Sequence, residues 1–97
     1  MKGIDHIALQ VEDVRESVDW YVDQYGCSIT YCDNTWALLQ FENIKLALVI
    51  EDEHPYHIAF ETGEWIFGAV EHRDGSVSRY DEDPSGNAIE LIRYKNA

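Results

Sequence analysis

Two histidines and one glutamate carry the pattern with chemical meaning in this 97-residue chain. His6 opens the tetrapeptide His6-Ile7-Ala8-Leu9, and His57 opens its near-copy His57-Ile58-Ala59-Phe60. Both alternate in the two-residue period of a strand with unlike faces. In the first copy Ile7, Leu9 and Val11 share one face, and His6, Ala8 and Gln10 the other. In the second, Ile58 and Phe60 oppose His57, Ala59 and Glu61. Each strand thus offers an apolar face to a core and an opposite face on which an imidazole stands beside a small residue, with room for a pocket. Glu90 falls on the corresponding face of a third alternating segment. Two neutral imidazoles and one carboxylate on strands of one sheet form a donor set for a divalent metal, leaving coordination positions open to water or substrate. A metal so held polarises a substrate oxygen or activates water or oxygen. Taken singly, each residue has a plainer explanation, as a hydrogen-bonded strand histidine or a solvated glutamate. Their matched places in a repeat favour the metal site. His54 and His72 have no repeat partner.

The elements that must position these residues come in two similar halves. Asn43-Ile44-Lys45-Leu46-Ala47-Leu48-Val49 aligns with Gly86-Asn87-Ala88-Ile89-Glu90-Leu91-Ile92, so Glu90 corresponds to Ala47, which has no donor atom. Units of this kind cannot bury their own sheet face and must pair. The first strand is expected over 3–11. Asp13-Val14-Arg15-Glu16 reads as a capping box, Val14, Val18, Tyr21, Val22 and Tyr25 recur at helical spacing, and Gly26 supplies a stop, so a helix is expected over 14–25. Strands over 27–32, 35–42 and 44–51 complete a β-α-β-β-β half. On 35–42, Ala37, Leu39 and Phe41 read as the core face, and Trp36, Leu38 and Gln40 as the pocket face. Asp52-Glu53-His54-Pro55 is the linker, and its proline ends any strand. The second half begins with a strand over 56–62, then a short, poor helix over 63–72. Asp74-Gly75 signals a hairpin. Strands over 76–82 and 87–94 flank the turn Asp83-Pro84-Ser85-Gly86. The second half is shorter, so one of its strands is expected to be missing or vestigial.

Composition narrows the partners. A net charge of −12 and a pI near 4.4 repel nucleic-acid phosphates and anionic lipid, so neither nucleic acid nor membrane is expected. No apolar run is long enough to span a bilayer. Asp5, His6, Gln10 and Glu12 interrupt any signal-peptide core, which points to the cytoplasm. Cys27 and Cys32 sit at opposite ends of one strand, on opposite faces by simple alternation, and read as free thiols in a reducing compartment. A chain this short buries a modest share of its surface, so a homodimer is expected.

The whole chain resembles the vicinal oxygen chelate superfamily, which includes glyoxalase I, extradiol dioxygenases, fosfomycin resistance enzymes and bleomycin resistance proteins. The resemblance rests on Asp5-His6-Ile7-Ala8-Leu9, on Trp20-Tyr21 leading to Gly26, on His57-Ile58-Ala59-Phe60, and on Asp83-Pro84-Ser85-Gly86-Asn87 leading to Glu90-Leu91. It implies an α+β fold of paired βαβββ modules forming a half-open mixed barrel, here one glyoxalase-like domain with module one at 1–51 and a truncated module two at 56–97. It implies His6, His57 and Glu90 as ligands of iron, manganese, nickel or zinc. Ala47 stands where glyoxalase I has a fourth. Val70, His72, Tyr80, Asp83, Pro84, Gly86 and Glu90 also follow the extradiol dioxygenase signature, except that Arg79 replaces an apolar residue.

Two functions compete on this basis. One is a metalloenzyme acting on a small oxygen-rich substrate by lyase, isomerase, dioxygenase or epoxide-opening chemistry. Glu90 and Tyr80 are then its candidate catalytic residues, Gln10, Trp36, Gln40 and Glu61 line its pocket, and the proton-transfer base is Glu61, Tyr80 or a metal-bound hydroxide. The other is a metal-free protein that sequesters a small ligand, as bleomycin resistance proteins do. The superfamily fold does not decide between them.

Overall fold

The structure is a computed structural model that describes residues 2–95. Its elements are β1 (Gly3–Gln10), α1 (Val14–Tyr25), β2 (Ser28–Cys32), β3 (Trp36–Gln40), β4 (Lys45–Val49), β5 (His57–Glu61), β6 (Val70–Glu71), β7 (Val77–Glu82) and β8 (Ala88–Arg93). The class is α+β, as expected. The chain divides into two compact units, one of residues 6–56 and one joining residues 2–5 to the second half from residue 57. β1 contributes to both. No helix among the described residues is long and apolar enough to cross a membrane.

The first unit orders its strands β2-β3-β4-β1, with β4 antiparallel to β3 and parallel to β1. Its helix starts where the sequence demands. The Asp13 carboxylate accepts the Glu16 amide at 3.0 Å, and Gly26 ends the helix at φ 70°, its amide donating to the Val22 carbonyl at 2.9 Å. Val14 and Val18 face the sheet and close over Ala37, Leu39 and Leu48, all five buried. Each fully buried leucine or valine contributes about 1.5–3 kcal/mol, so this contact dominates the unit's stability. Leu9, Val11 and Phe41 pack against the same cluster, as their face predicts. On the opposite face Leu38 joins Ala8, Ala47 and Val49.

The two cysteines depart from the expected alternation. The β2–β3 register slips between Ile29 and Tyr31. This bulge inserts one residue and reverses the faces beyond it. Cys27 and Cys32 therefore both pack toward the helix-side cluster, and both are free thiols.

The second unit orders its strands β5-β8-β7-β6, with β5 and β8 parallel and the other pairs antiparallel. All four strands are present, and the vestigial one is β6, with two residues. The helix expected over 63–72 does not form. Ile66 is buried, whereas Trp65 and Phe67 on either side are 79% and 81% exposed. One inward residue in this stretch gives no helical stripe, and Gly68 at φ 75° breaks helical geometry. Instead Arg79 Nη1 donates to the Phe67 carbonyl at 3.0 Å, and the Arg93 guanidinium lies 6.0 Å from the Trp65 ring centre. The expected core face of β5 is accordingly thinly covered, and Ile58 stays 38% exposed.

Candidate metal centre

The second unit builds a polar cluster from a turn outward. Asp83 Oδ1 accepts the amides of Ser85 and Asn87, each at 2.9 Å, and Oδ2 accepts the Asn87 side-chain amide at 2.8 Å. These bonds, the Asn87 side-chain amide first, hold the Asp83 carboxyl below its ordinary pKa. Gly86, at φ 84°, takes the left-handed position the turn requires. The closed turn fixes β8 against β7, with Glu82 opposite Ala88, Tyr80 opposite Glu90 and Ser78 opposite Ile92. On its other side β8 pairs Glu90 with Ala59, two residues beyond His57. Strand alternation then places His57, Ala59, Glu90, Tyr80 and Ser78 on one face.

Their side chains meet there. His57 Nε2 stands 3.1 Å from Glu90 Oε1, both side chains almost fully buried. The Ser78 hydroxyl, also buried, donates to Glu90 Oε2 at 2.7 Å. His72 Nε2 is 2.5 Å from Ser78 Oγ and 3.8 Å from Glu90 Oε2. Burying a carboxylate is costly unless it is hydrogen-bonded and paired, and both Glu90 oxygens are engaged. The Tyr80 ring meets the His57 ring edge-on at 5.0 Å between centres, with its hydroxyl 3.4 Å from Nε2. Burial, and then the Glu90 charge, push the Tyr80 phenol above its ordinary value. Glu61 lies on the same face of β5, a quarter exposed, with Lys2 Nζ 3.9 Å from its carboxylate. Below the cluster, the Tyr94 hydroxyl donates to the buried Asp5 carboxylate at 2.5 Å. Burial and that bond raise the Tyr94 phenol as well.

The first unit repeats this register with different side chains. Ala8 pairs with Ala47 as Ala59 pairs with Glu90, and buried His6 stands two residues before Ala8. Across β3, Leu38 faces Ala47 and Trp36 faces Val49, the places held by Tyr80 and Ser78 in the second unit. The places of Glu90, Tyr80 and Ser78 are thus taken by Ala47, Leu38 and Trp36 here. Of the expected pocket residues, Gln10 turns its amide to the His54 carbonyl at 3.0 Å. Trp36 stacks on Tyr31 with ring centres 4.3 Å apart. Gln40 is exposed, its amide donating to the neighbouring Phe41 carbonyl at 2.5 Å.

The donor chemistry of the His57–Glu90 pair fits a divalent ion. Two donors at right angles, each about 2.1 Å from an ion, stand about 3.0 Å apart. The observed separation is 3.1 Å. Ser78 is unforeseen in the cluster, whereas the extradiol-type spacing already groups His72 with Tyr80 and Glu90. A serine in an alternating strand carries no spacing signature, but the Asp83–Asn87 turn implies its register opposite Ile92. The Asp74-Gly75 hairpin likewise turns His72 back over β7, with the His72 amide donating to the Ser76 carbonyl at 2.8 Å.

No protein-family model matches the sequence, and neither does any curated protein. Solved structures do match. A variant of methylmalonyl-CoA epimerase from Streptomyces coelicolor, in complex with 2-nitronate-propionyl-CoA, superposes with a TM-score of 0.83 at 17% identity, over 98% of this chain and 99% of that one. The epimerase from Mycobacterium tuberculosis gives 0.74 at 18% identity, over 95% and 87%. The Mn(II)-bound glyoxalase from Novosphingobium aromaticivorans gives 0.68 at 16% identity, over 93% of this chain and 37% of that one. The chain has the fold of these proteins.

Proposed function

We propose that this chain is a divalent-metal enzyme in which His6, His57 and Glu90 hold the ion and the substrate is a small, oxygen-rich carbonyl compound. The observation that carries this reading is the buried His57–Glu90 pair, with its two donor atoms 3.1 Å apart on adjacent parallel strands. When bound, the ion supplies Lewis acidity at a substrate oxygen. Iron, manganese, nickel and zinc all suit two imidazoles and a carboxylate, and one structural neighbour carries Mn(II).

The reaction we propose is proton transfer at a carbon beside a carbonyl, performed as an isomerase or lyase. The epimerase and glyoxalase folds among its neighbours support this class over dioxygenase or epoxide-opening chemistry. Glu61, partly exposed on the face of His57 and Ala59, takes the proton. Tyr80, held neutral, donates a hydrogen bond. Gln10, Trp36 and Gln40 complete the proposed pocket. A chain of net charge −12 repels a polyanionic CoA ester, so the proposed substrate is smaller and uncharged or cationic. We place the protein in the cytoplasm as a homodimer, a reading supported by exposed Ile4, Ile58, Trp65 and Phe67; light scattering on the purified protein tests it.

A second reading, metal-free ligand binding, is favoured by one observation. Ser78 and His57 already engage both Glu90 oxygens, so the buried carboxylate is satisfied without an ion. Metal analysis of protein purified without chelator separates the two. Near-stoichiometric metal that is lost in His6→Ala and Glu90→Ala supports the enzyme. Deuterium uptake beside the carbonyl of small 2-oxo and 2-hydroxy carbonyl compounds in D2O, with methylmalonyl-CoA for comparison, then tests the reaction. No metal in the wild type, and no thermal shift with added divalent ions, would sink the metalloenzyme reading in favour of ligand binding.

A further inference from the structure

We propose that Ser78 and His72 are positioning residues that hold Glu90 as a one-handed ligand, with Oε2 tied back and Oε1 presented. This rests on the metal reading and adds a determinant of metal affinity to it. The Ser78 hydroxyl has a single proton, and the 2.7 Å contact gives it to Glu90 Oε2. Ser78 Oγ must then accept from His72 Nε2, 2.5 Å away, so that nitrogen carries a proton. A neutral Nε2–H tautomer and an imidazolium serve equally, and the strap does not depend on the charge of His72. Donation runs one way, from His72 through Ser78 to Oε2. The other oxygen, Oε1, is left on the side of His57 Nε2 at 3.1 Å.

The anchoring is built into the second unit's turns. Asp74 Oδ1 accepts the Ser76 amide at 2.9 Å and the Ser76 hydroxyl at 2.6 Å, while Gly75 takes φ 87°. This closed hairpin pairs Val70 with Ser78 and brings His72, two residues on, over the same face. Ser78 is 2% exposed, so water does not replace its hydroxyl without rearrangement. A carboxylate without the strap turns about its last torsion and samples two-oxygen and swung-away poses. Groups that orient ligands in this way change metal affinity by about 10–100-fold when removed.

The test is titration calorimetry with Mn2+ and Zn2+, run well below the melting temperature of each variant, with Mn2+ electron paramagnetic resonance of the loaded protein. Ser78→Ala should bind about 10–100-fold more weakly and alter the Mn2+ line shape. Ser78→Thr, which keeps the hydroxyl, should recover most of the affinity, whereas a purely structural serine would show no such rescue. If Ser78→Ala does not fold, His72→Leu carries the test, since it removes the anchor and leaves the Ser78–Glu90 contact; at least a fivefold weakening is expected. Wild-type affinity and line shape in Ser78→Ala, or in His72→Leu where that variant carries the test, overturn the strap and leave the metal reading intact. A wild type that binds neither ion overturns both.

Discussion

Adding a fourth donor to the proposed metal site makes the internal repeat testable. Ala47 occupies in the first unit the register place of Glu90 in the second, opposite Ala8 as Glu90 is opposite Ala59. Ala47→Glu would put a carboxylate there. In the metal-free protein the change is unfavourable on two counts. Ala47 is 4% exposed and packed with Ala8, Leu38 and Val49, so a larger side chain overpacks the face by about 1–3 kcal/mol. The new carboxylate also meets Leu38 and Trp36 where Glu90 meets Tyr80 and Ser78, so its burial without donors adds about 1–3 kcal/mol. Together these reach roughly 4 kcal/mol, a large part of the 5–15 kcal/mol typical of a folded domain. Metal offsets part of this cost. A fourth donor that tightens binding at least tenfold returns about 1.4 kcal/mol at saturating ion. The assay is urea unfolding of both proteins in chelator and in excess Mn2+. The stability gap should be about 4 kcal/mol in chelator and narrower by at least about 1.4 kcal/mol in Mn2+. A gap unchanged by metal would refute the proposed equivalence of Ala47 to a ligand position.

Two further outcomes concern packing, one in each unit. Leu39→Ala removes a fully buried side chain beneath Val14 and Val18 and should cost about 3 kcal/mol. At roughly 4–8 °C per kcal/mol for a domain of this size, its Tm falls by at least about 12 °C. Ile58→Ala, on the helix-free face of β5, should cost only about 1 kcal/mol, and an equal loss in thermal melts would contradict the unequal covering of the strands in the two units. The third outcome concerns acid. Burial alone would raise the Asp33 carboxyl. Hydrogen bonds from the Tyr31 hydroxyl, the amides of Thr35 and Trp36, and the Thr35 hydroxyl overcome this and hold it well below its ordinary 3.8. A depressed folded pKa contributes stability that is complete above the unfolded value and is lost as pH falls through the folded one. Wild type should therefore exceed Asp33→Asn in stability at neutral pH, with the difference narrowing only below pH 3.8. A difference already closing near pH 6 in chemical denaturation would assign the effect to other groups.

Much of this architecture is legible because local signals and long-range register agree. Asp13 and Gly26 bound the helix at the residues where capping chemistry places them. The alternation of Ala37, Leu39 and Phe41 against Trp36 and Leu38 separates the two faces of β3 correctly, because each face meets a chemically different neighbour. The repeat alignment also gives the true register of Ala47 and Glu90. Three features escape. The bulge between Ile29 and Tyr31 has no glycine or proline to announce it, and it reverses the face on which Cys27 and Cys32 were expected to differ. The stretch after Thr62 carries enough apolar residues for a short helix, but Trp65 and Phe67 turn outward and Arg79 and Arg93 hold the loop instead. Ser78 is invisible to residue-type reasoning, since serine is ordinary in any half-exposed strand.

That last omission shows where functional information lies in a sheet of this kind. A ligand's identity is written at its own position, but its support is written in the turns. Asp83 and Asn87 close one hairpin, and Asp74 and Ser76 close the other. Because side chains alternate with a period of two, a slip of one residue at either turn would send its partner to the opposite face. At Asp83 the slip would separate Ser78 and Tyr80 from Glu90; at Asp74 it would withdraw His72 from Ser78. The first unit retains a histidine at the equivalent place, yet carries Leu38 and Trp36 where the second carries Tyr80 and Ser78. The two halves share a register and differ in polarity, and that difference explains why the second unit can bury a carboxylate and the first holds an alanine.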